Sequence, residues 1–245
     1  MIESTSLIIF LIILPIVSLL YSSVGHGGAS GYLALMVIFS FPSEIMKSTA
    51  LLLNLFVAGI AFYQYYNAGH FNKKLFLYFA IGSIPAAFFG GQVNINPELY
   101  REILGVLLIF AIVRILWKKD QIISVDKPQV IIAILFGIVI GFFSGLIGIG
   151  GGIILTPLIL FFRWGTMKEA AAVSALFIWV NSASALVGQF NLGVNFSSSS
   201  MIMILIAFVG GLIGSYYGSK KWESIVLEYL LVVVLTIASI KLLLL

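Results

Sequence analysis

Cysteine is absent from this 245-residue chain, which excludes disulfides, thiolate metal sites and thiol redox chemistry while leaving the redox compartment undetermined. Charge is nearly as scarce. Asp, Glu, Lys and Arg make up 9% of the residues, too little polar surface to cover a soluble globule. Histidine occurs twice, as His26 and His70, and neither lies in a His-Glu-x-x-His pair. Gly-x-Ser-x-Gly, paired intramembrane Asp residues and the Gly-x-x-x-x-Gly-Lys-Ser/Thr phosphate loop are also missing, so the motifs of a zinc protease, a serine hydrolase or an ATP-driven pump are not on this chain. Nothing calls for a metal or cofactor. No basic patch interleaved with aromatics suggests a nucleic-acid partner.

What fills the chain instead is apolar: 61% of residues are hydrophobic and the mean hydropathy is +1.17. This is the composition of an integral membrane protein, with the lipid bilayer as its solvent. Runs near the ~20 residues a bilayer core requires predict Ser6 to Val24, a short Ala29 to Phe41, Glu44 to Tyr66, Lys73 to Gln92 and Leu99 to Trp117. A second set follows: Val130 to Ile147, a short Ile153 to Phe162, Lys168 to Gln189, Ser200 to Ser219 and Ser224 to Leu245. The first run lacks the basic leader and small-residue cleavage site of a signal peptide and is expected to be retained. Lys118 to Pro128 is the longest polar stretch. It divides the chain into a first repeat (1–117), a cytoplasmic linker (118–128) and a second repeat (129–245).

Each half carries a glycine-rich break after its first long run, Tyr21-Ser-Ser-Val-Gly-His-Gly-Gly-Ala-Ser30 and Ser144-Gly-Leu-Ile-Gly-Ile-Gly-Gly-Gly-Ile153. Glycine weakens a helix interior, so a cluster in corresponding places marks where helices stop. Other landmarks recur at nearly constant offset: Gly25 with Gly148 (148 − 25 = 123), Asn67 with Asn191 (124), Gly90 with Gly218 (128) and Arg114 with Lys241 (127). Gly82, Ala86 and Gly90 answer Gly210, Gly214 and Gly218, with the small-xxx-small spacing that lets membrane helices approach closely. Such zippers pack helices within and between subunits alike, so a homo-oligomer stays open.

Placing the linker in the cytoplasm puts all of the 13 basic residues on that side except Lys47, Arg101 and Lys241, the bias of the positive-inside rule. Both termini are then outside. Because each half has an odd number of elements, the second begins on the opposite side from the first. The reading is an all-α polytopic membrane protein of two inverted repeats, about five helical elements each, with short Gly-broken or re-entrant helices at the centre.

An inverted repeat with broken helices in matching positions points to the midplane site of a secondary transporter. Interrupted helices bring backbone N–H groups and the positive ends of their dipoles into the membrane, where they suit an anion. Candidate binding residues are therefore Gly25, His26, Gly27 and Gly28 in the first break and Gly148, Gly150 and Gly151 in the second. On the third elements, Thr49 is aligned with Ser174, and Asn54 and Asn181 lie a turn or two further along. His26 has three readings: structural donor to a broken helix, ligand contact, or proton carrier. Ser and Thr here could equally bond their own i−4 carbonyl. Tyr21, Ser22 and Ser144 rank lower. Glu44 and Lys47 are expected as a solvated interfacial pair, Arg114 and Lys241 as snorkelling cations, and Trp117, Trp164 and Trp222 as an interfacial belt.

Val24-Gly-His-Gly-Gly-Ala-Ser-Gly31 and Gly145-Leu-Ile-Gly-Ile-Gly-Gly-Gly-Ile-Ile-Leu-Thr-Pro157 resemble the paired motifs of the TauE/SafE sulfite exporter family, and the likeness runs over nearly the whole chain. The first motif departs from the commoner Gly-x-Gly-Gly-Gly form at His26 and Ala29. The resemblance implies a carrier of the bacterial inner membrane moving a small anion such as sulfite or an organosulfonate. An anion channel is the nearest alternative, and an intramembrane enzyme using His26 a more distant one.

Overall fold

The computed structural model describes residues 4–94, 125–190 and 200–222, with single positions within 96–113 and 236–240. The expected fifth element of each half, Arg114, Trp117, Lys241, Asn191 to Gly193 and most of the linker fall wholly or mostly outside the described residues. Eight helices are described: α1 (Ser4–Ser23), α2 (Ala29–Ile38), α3 (Ser43–Asn67), α4 (Lys73–Gln92), α5 (Val130–Ile147), α6 (Gly152–Phe161), α7 (Met167–Gln189) and α8 (Ser200–Lys220). Among them, α3, α4, α5, α7 and α8 are long and apolar enough to cross a membrane. Ile12, Ile81, Ile131, Phe161 and Leu205 stand largely exposed on the perimeter, an apolar surface that lipid must cover.

Local signals set the helix ends. The Asn72 side chain accepts from Leu75 N to start α4, and Thr166 with Glu169 forms a capping box at the start of α7, each satisfying donors that the first turn leaves unpaired. The short helices α2 and α6 start differently. Both have glycine at the N-cap, Gly28 and Gly151, with φ of 95° and 78° and no side-chain cap of their own. Gly25 and Gly148, at φ 75° and 86°, make the matching left-handed turn three residues earlier. L side chains disfavour that region, so both reversals need glycine at both positions.

At 10 residues each, α2 and α6 are only about 15 Å long and reach about halfway through a hydrocarbon core. Both turn back along the helix before them. Phe39 and Phe41 pack on Phe10 near the start of α1, at ring-centroid distances of 6.0 and 4.8 Å. Phe162, after α6, packs on Phe136 of α5 at 5.9 Å.

The closest packing crosses between the halves. Gly137, Gly141 and Gly145 of α5 lie against the carbonyls of Phe79, Ser83 and Ala87 of α4. Steps of four on both helices mean that α4 and α5 run in the same direction. In the same way Gly210, Gly214 and Gly218 of α8 lie against the carbonyls of Pro15, Leu19 and Ser23 of α1, so α1 and α8 are also parallel. The small-xxx-small stripes therefore bring backbone to within Cα–H···O range, and each half's fourth helix leans on the other half's first. At the centre α3 and α7 are antiparallel: Asn54 meets Ser182, while Gly59, further along α3, faces Trp179, earlier on α7.

One end of this bundle collects the basic residues. Tyr65, in the last turns of α3, donates to Ser23 O at the end of α1, Lys168 Nζ donates to Ser219 O at the end of α8, and Asp126 N donates to Arg163 O. Lys73, Lys74, Lys127, Lys220 and Lys221 lie at the same end. Two interfacial assignments change. Trp164 is buried, stacked on Phe162 at 4.7 Å, and Lys47 is buried at the opposite end, not solvated beside Glu44.

Candidate functional site

The two glycine breaks meet at the centre of the bundle, on the same two side chains. A methyl group placed on Gly27 would collide with Asn54 Oδ1 and lie 2.9 Å from Ile178 Cγ2, whereas one placed on Gly150 would lie 2.5 Å from Asn54 Nδ2 and 2.8 Å from Ile178 Cγ2. Asn54 of α3 and Ile178 of α7 are therefore wedged between Gly27 and Gly150. The outer glycines repeat the pattern: Gly25 lies against Ala171 of α7, and Gly148 against Lys47 of α3. These paired contacts set the third helices at an offset of 124 (171 − 47, 178 − 54). That register puts Thr49 opposite Val173 and Ser174 opposite Ala50, one residue away from the alignment of Thr49 with Ser174.

Asn54 joins three elements. Its Oδ1 accepts from Ala29 N at the start of α2, 3.2 Å, and its Nδ2 donates to Ser182 Oγ on α7, 3.2 Å. The side chain thus supplies from α3 the cap that Gly28 cannot give. One of the N–H groups expected to be open to an anion is already engaged. Asn181 behaves differently: its Nδ2 donates to Phe177 O one turn back, 2.8 Å. A carbonyl only accepts, so the amide nitrogen must face it, and that contact uses one of its two N–H groups; Oδ1 has no partner among the described residues. The buried Thr49 and Ser144 hydroxyls, also without partners among the described residues, retain O–H donors.

His26 sits in the first break with its ring turned toward the second half. Nδ1 lies 3.0 Å from Val24 O, and Nε2 lies 3.4 Å from Thr156 Oγ1 of α6, which in turn is 2.8 Å from Ser174 Oγ of α7. All three side chains are buried. Ser174 is thus brought into the centre together with Asn54 and both breaks. Thr156 and Ser182 are the members that the sequence reading did not nominate. A Thr-Pro pair inside a short, otherwise apolar helix was the available signal for Thr156. For Ser182, adjacent to Asn181 on a helix, no local pattern distinguishes it.

Lys47 Nζ reaches the carbonyls of Gly90 and Gly91, at 3.4 and 3.1 Å, at the end of α4. A cation there meets the negative end of the α4 dipole, where Gly90 O also accepts from Val93 N at 3.3 Å. No carboxylate pairs with it among the described residues. Its stem also packs against Gly148, so this charge is held beside the second break.

These features define a multi-pass α-helical membrane protein with a buried polar centre where two broken helices converge. The family described as "Sulfite exporter TauE/SafE" matches residues 9–242, and the chain belongs to that family. It is 37% identical over 227 residues to "Probable membrane transporter protein y4hK" of Sinorhizobium fredii, covering 89% of this chain and 92% of that one. It is 28% identical over 243 residues to "Probable membrane transporter protein ORF9" of Sinorhizobium sp, covering 95% and 91%. Identity to "Probable membrane transporter protein YjnA" of Bacillus subtilis is 25% over 238 residues, covering 89% and 92%. No solved structure matches the chain. The protein is a membrane transporter.

Proposed function

We propose that this transporter is a secondary carrier for a small anion of the sulfite or organosulfonate class, working by alternating access around the site where the glycine breaks meet. The observation that carries this reading is the shared contact of Gly27 and Gly150 with Asn54 and Ile178. Two helices that begin at mid-bundle direct their N-terminal dipoles toward one locus, and the unpartnered hydroxyls of Thr49 on α3 and Ser144 on α5 are donors on the helices beside it. Electrostatic recognition of an anion by helix N-termini and hydroxyls needs no buried Lys or Arg. The description of the family as a sulfite exporter supports the substrate class, and His26 has no catalytic role in this reading.

The two halves are read as inverted repeats, 1–117 and 129–245, with the linker and the basic end cytoplasmic and both termini outside the bacterial inner membrane. Antiparallel α3 and α7, and the reciprocal pairing of α4 with α5 and α1 with α8, support that reading. A carrier of this design rocks one repeat against the other while the site stays near the midplane.

Flux in proteoliposomes tests the proposal, using sulfite, sulfate, sulfoacetate and taurine with unlabelled anion trapped inside. Saturable uptake accelerated by the trapped anion is the expected result. Voltage-driven currents without such counterflow would identify a channel instead. Turnover of a lipid or peptide that depends on His26 would point to an enzyme.

A further inference from the structure

His26, Thr156 and Ser174 form a line whose hydrogen-bond direction is set at one end. Val24 O can only accept, so the Nδ1 facing it carries the hydrogen. In the neutral ring Nε2 is then a bare lone pair. A Thr156 O–H donated to Nε2 leaves the Thr156 oxygen to accept the O–H of Ser174, and both hydroxyl hydrogens then point toward the histidine.

Adding a proton to Nε2 reverses the line. The imidazolium N–H donates to Thr156, shortening a 3.4 Å contact that is long for a hydrogen bond. Thr156 turns its own O–H to Ser174, and Ser174, now accepting, releases its O–H to whatever lies on its far side. Only one covalent bond forms, Nε2–H, with the proton taken from water. Protonation therefore adds a positive charge at the first break and frees one hydroxyl donor on α7, and both favour a bound anion. The asymmetry is specific to one half, because Ile149 stands in the second break where His26 stands in the first.

The groups that face the imidazole come from several elements. Among the described residues Tyr21 of α1 is a titratable group facing it, 6.5 Å away between ring centroids at 76°, and its hydroxyl already accepts from Ser30 Oγ at 2.9 Å. From α6 and α7 the facing groups are the Thr156 and Ser174 hydroxyls, which do not titrate in this range. Lys47, the buried cation of α3, points to the Gly90 and Gly91 carbonyls.

We propose that His26 is a proton site coupled to anion binding through the Thr156–Ser174 hydroxyl pair, so that this carrier moves its anion together with a proton. The proposal rests on the carrier reading above and adds to it the coupling ion. Coupling between two ligands is reciprocal. With one proton per anion, apparent anion affinity should rise by up to about tenfold per unit fall in pH across the range where His26 titrates.

The test uses full-length protein in detergent or nanodiscs, labelled with 15N-histidine. His70, which packs on Tyr65 in the loop after α3, is replaced by Asn so that His26 is the single reporter. The probes are sulfate and methanesulfonate, neither of which titrates near neutrality. The expected spectrum shows neutral His26 as the Nδ1–H tautomer, and adding either anion at fixed pH raises the protonated fraction, with up to one proton taken from a weak buffer per chain. Thr156→Val and Ser174→Ala should leave His26 titrating while the anion moves it markedly less, and Thr156→Ser should restore the full response. An Nε2–H tautomer, a titration that neither anion moves, or a Thr156→Val variant that responds like the wild type would each overturn the proposal. Anion counterflow alongside an unresponsive His26 removes only the proton site; absence of counterflow for the whole anion panel removes the carrier reading.

Discussion

Replacing Gly150 by Ala measures how tightly the two breaks are pressed together, and Gly69 provides its control. Both glycines are left-handed, with φ of +80° and +78°. An alanine at either position meets the backbone penalty of that region, about 1–2 kcal/mol. At Gly69 no atom lies within 4 Å of the added methyl, while at Gly150 the methyl would sit 2.5 Å from Asn54 Nδ2 and 2.8 Å from Ile178 Cγ2. Overpacking of that kind costs about 1–3 kcal/mol, so Gly150→Ala should destabilise the fold by roughly that much more than Gly69→Ala. In a chain of this length the gap corresponds to a melting temperature roughly 2–12 °C lower. The assay is thermal unfolding of both variants in the same detergent, with counterflow recorded at a temperature where both are folded. Displacing Asn54 also loosens its bonds to Ala29 N and Ser182, so transport should fall in Gly150→Ala and persist in Gly69→Ala. Equal melting temperatures and equal transport would refute the claim that the breaks are wedged on Asn54.

Lys47→Met should lower stability by about 1–3 kcal/mol, because the Gly90 and Gly91 carbonyls lose their buried donor; Lys47→Arg should recover much of it, as read by unfolding in detergent. Reporters of sidedness placed at the termini and at Asp120 should report opposite sides of the membrane. Finding all of them on one side would remove the inverted arrangement.

Much of the fold is visible in the pattern of apolar runs and glycines. The bounds Lys73 to Gln92 and Val130 to Ile147 coincide with α4 and α5, because a polar or charged residue abuts each run and lipid tolerates little else between. The breaks were legible for a related reason: glycine clusters are costly in a helix unless a turn needs them. Contacts between helices were not legible. Lys47 reads as an interfacial charge from its neighbours on α3, and its burial follows from the arrival of the end of α4, more than forty residues later in sequence. Trp164 reads as a membrane anchor for want of its partners Phe79 and Phe162. Thr156 became a site residue through His26, across 130 positions, a separation no local period can encode. Asn181 shows the local case, since one N–H of its amide bonds within its own helix.

The absence of native cysteine makes the most direct test of the central claim simple to build. Ser174→Cys would be the only thiol in the chain, buried where the two halves meet. In vesicles of known orientation, a membrane-impermeant thiol reagent should label it from either face in turn, at a rate slowed by a transported anion on the same face. Labelling from one face only, or labelling that no anion of the panel slows, would contradict an alternating site at the junction of the two glycine breaks.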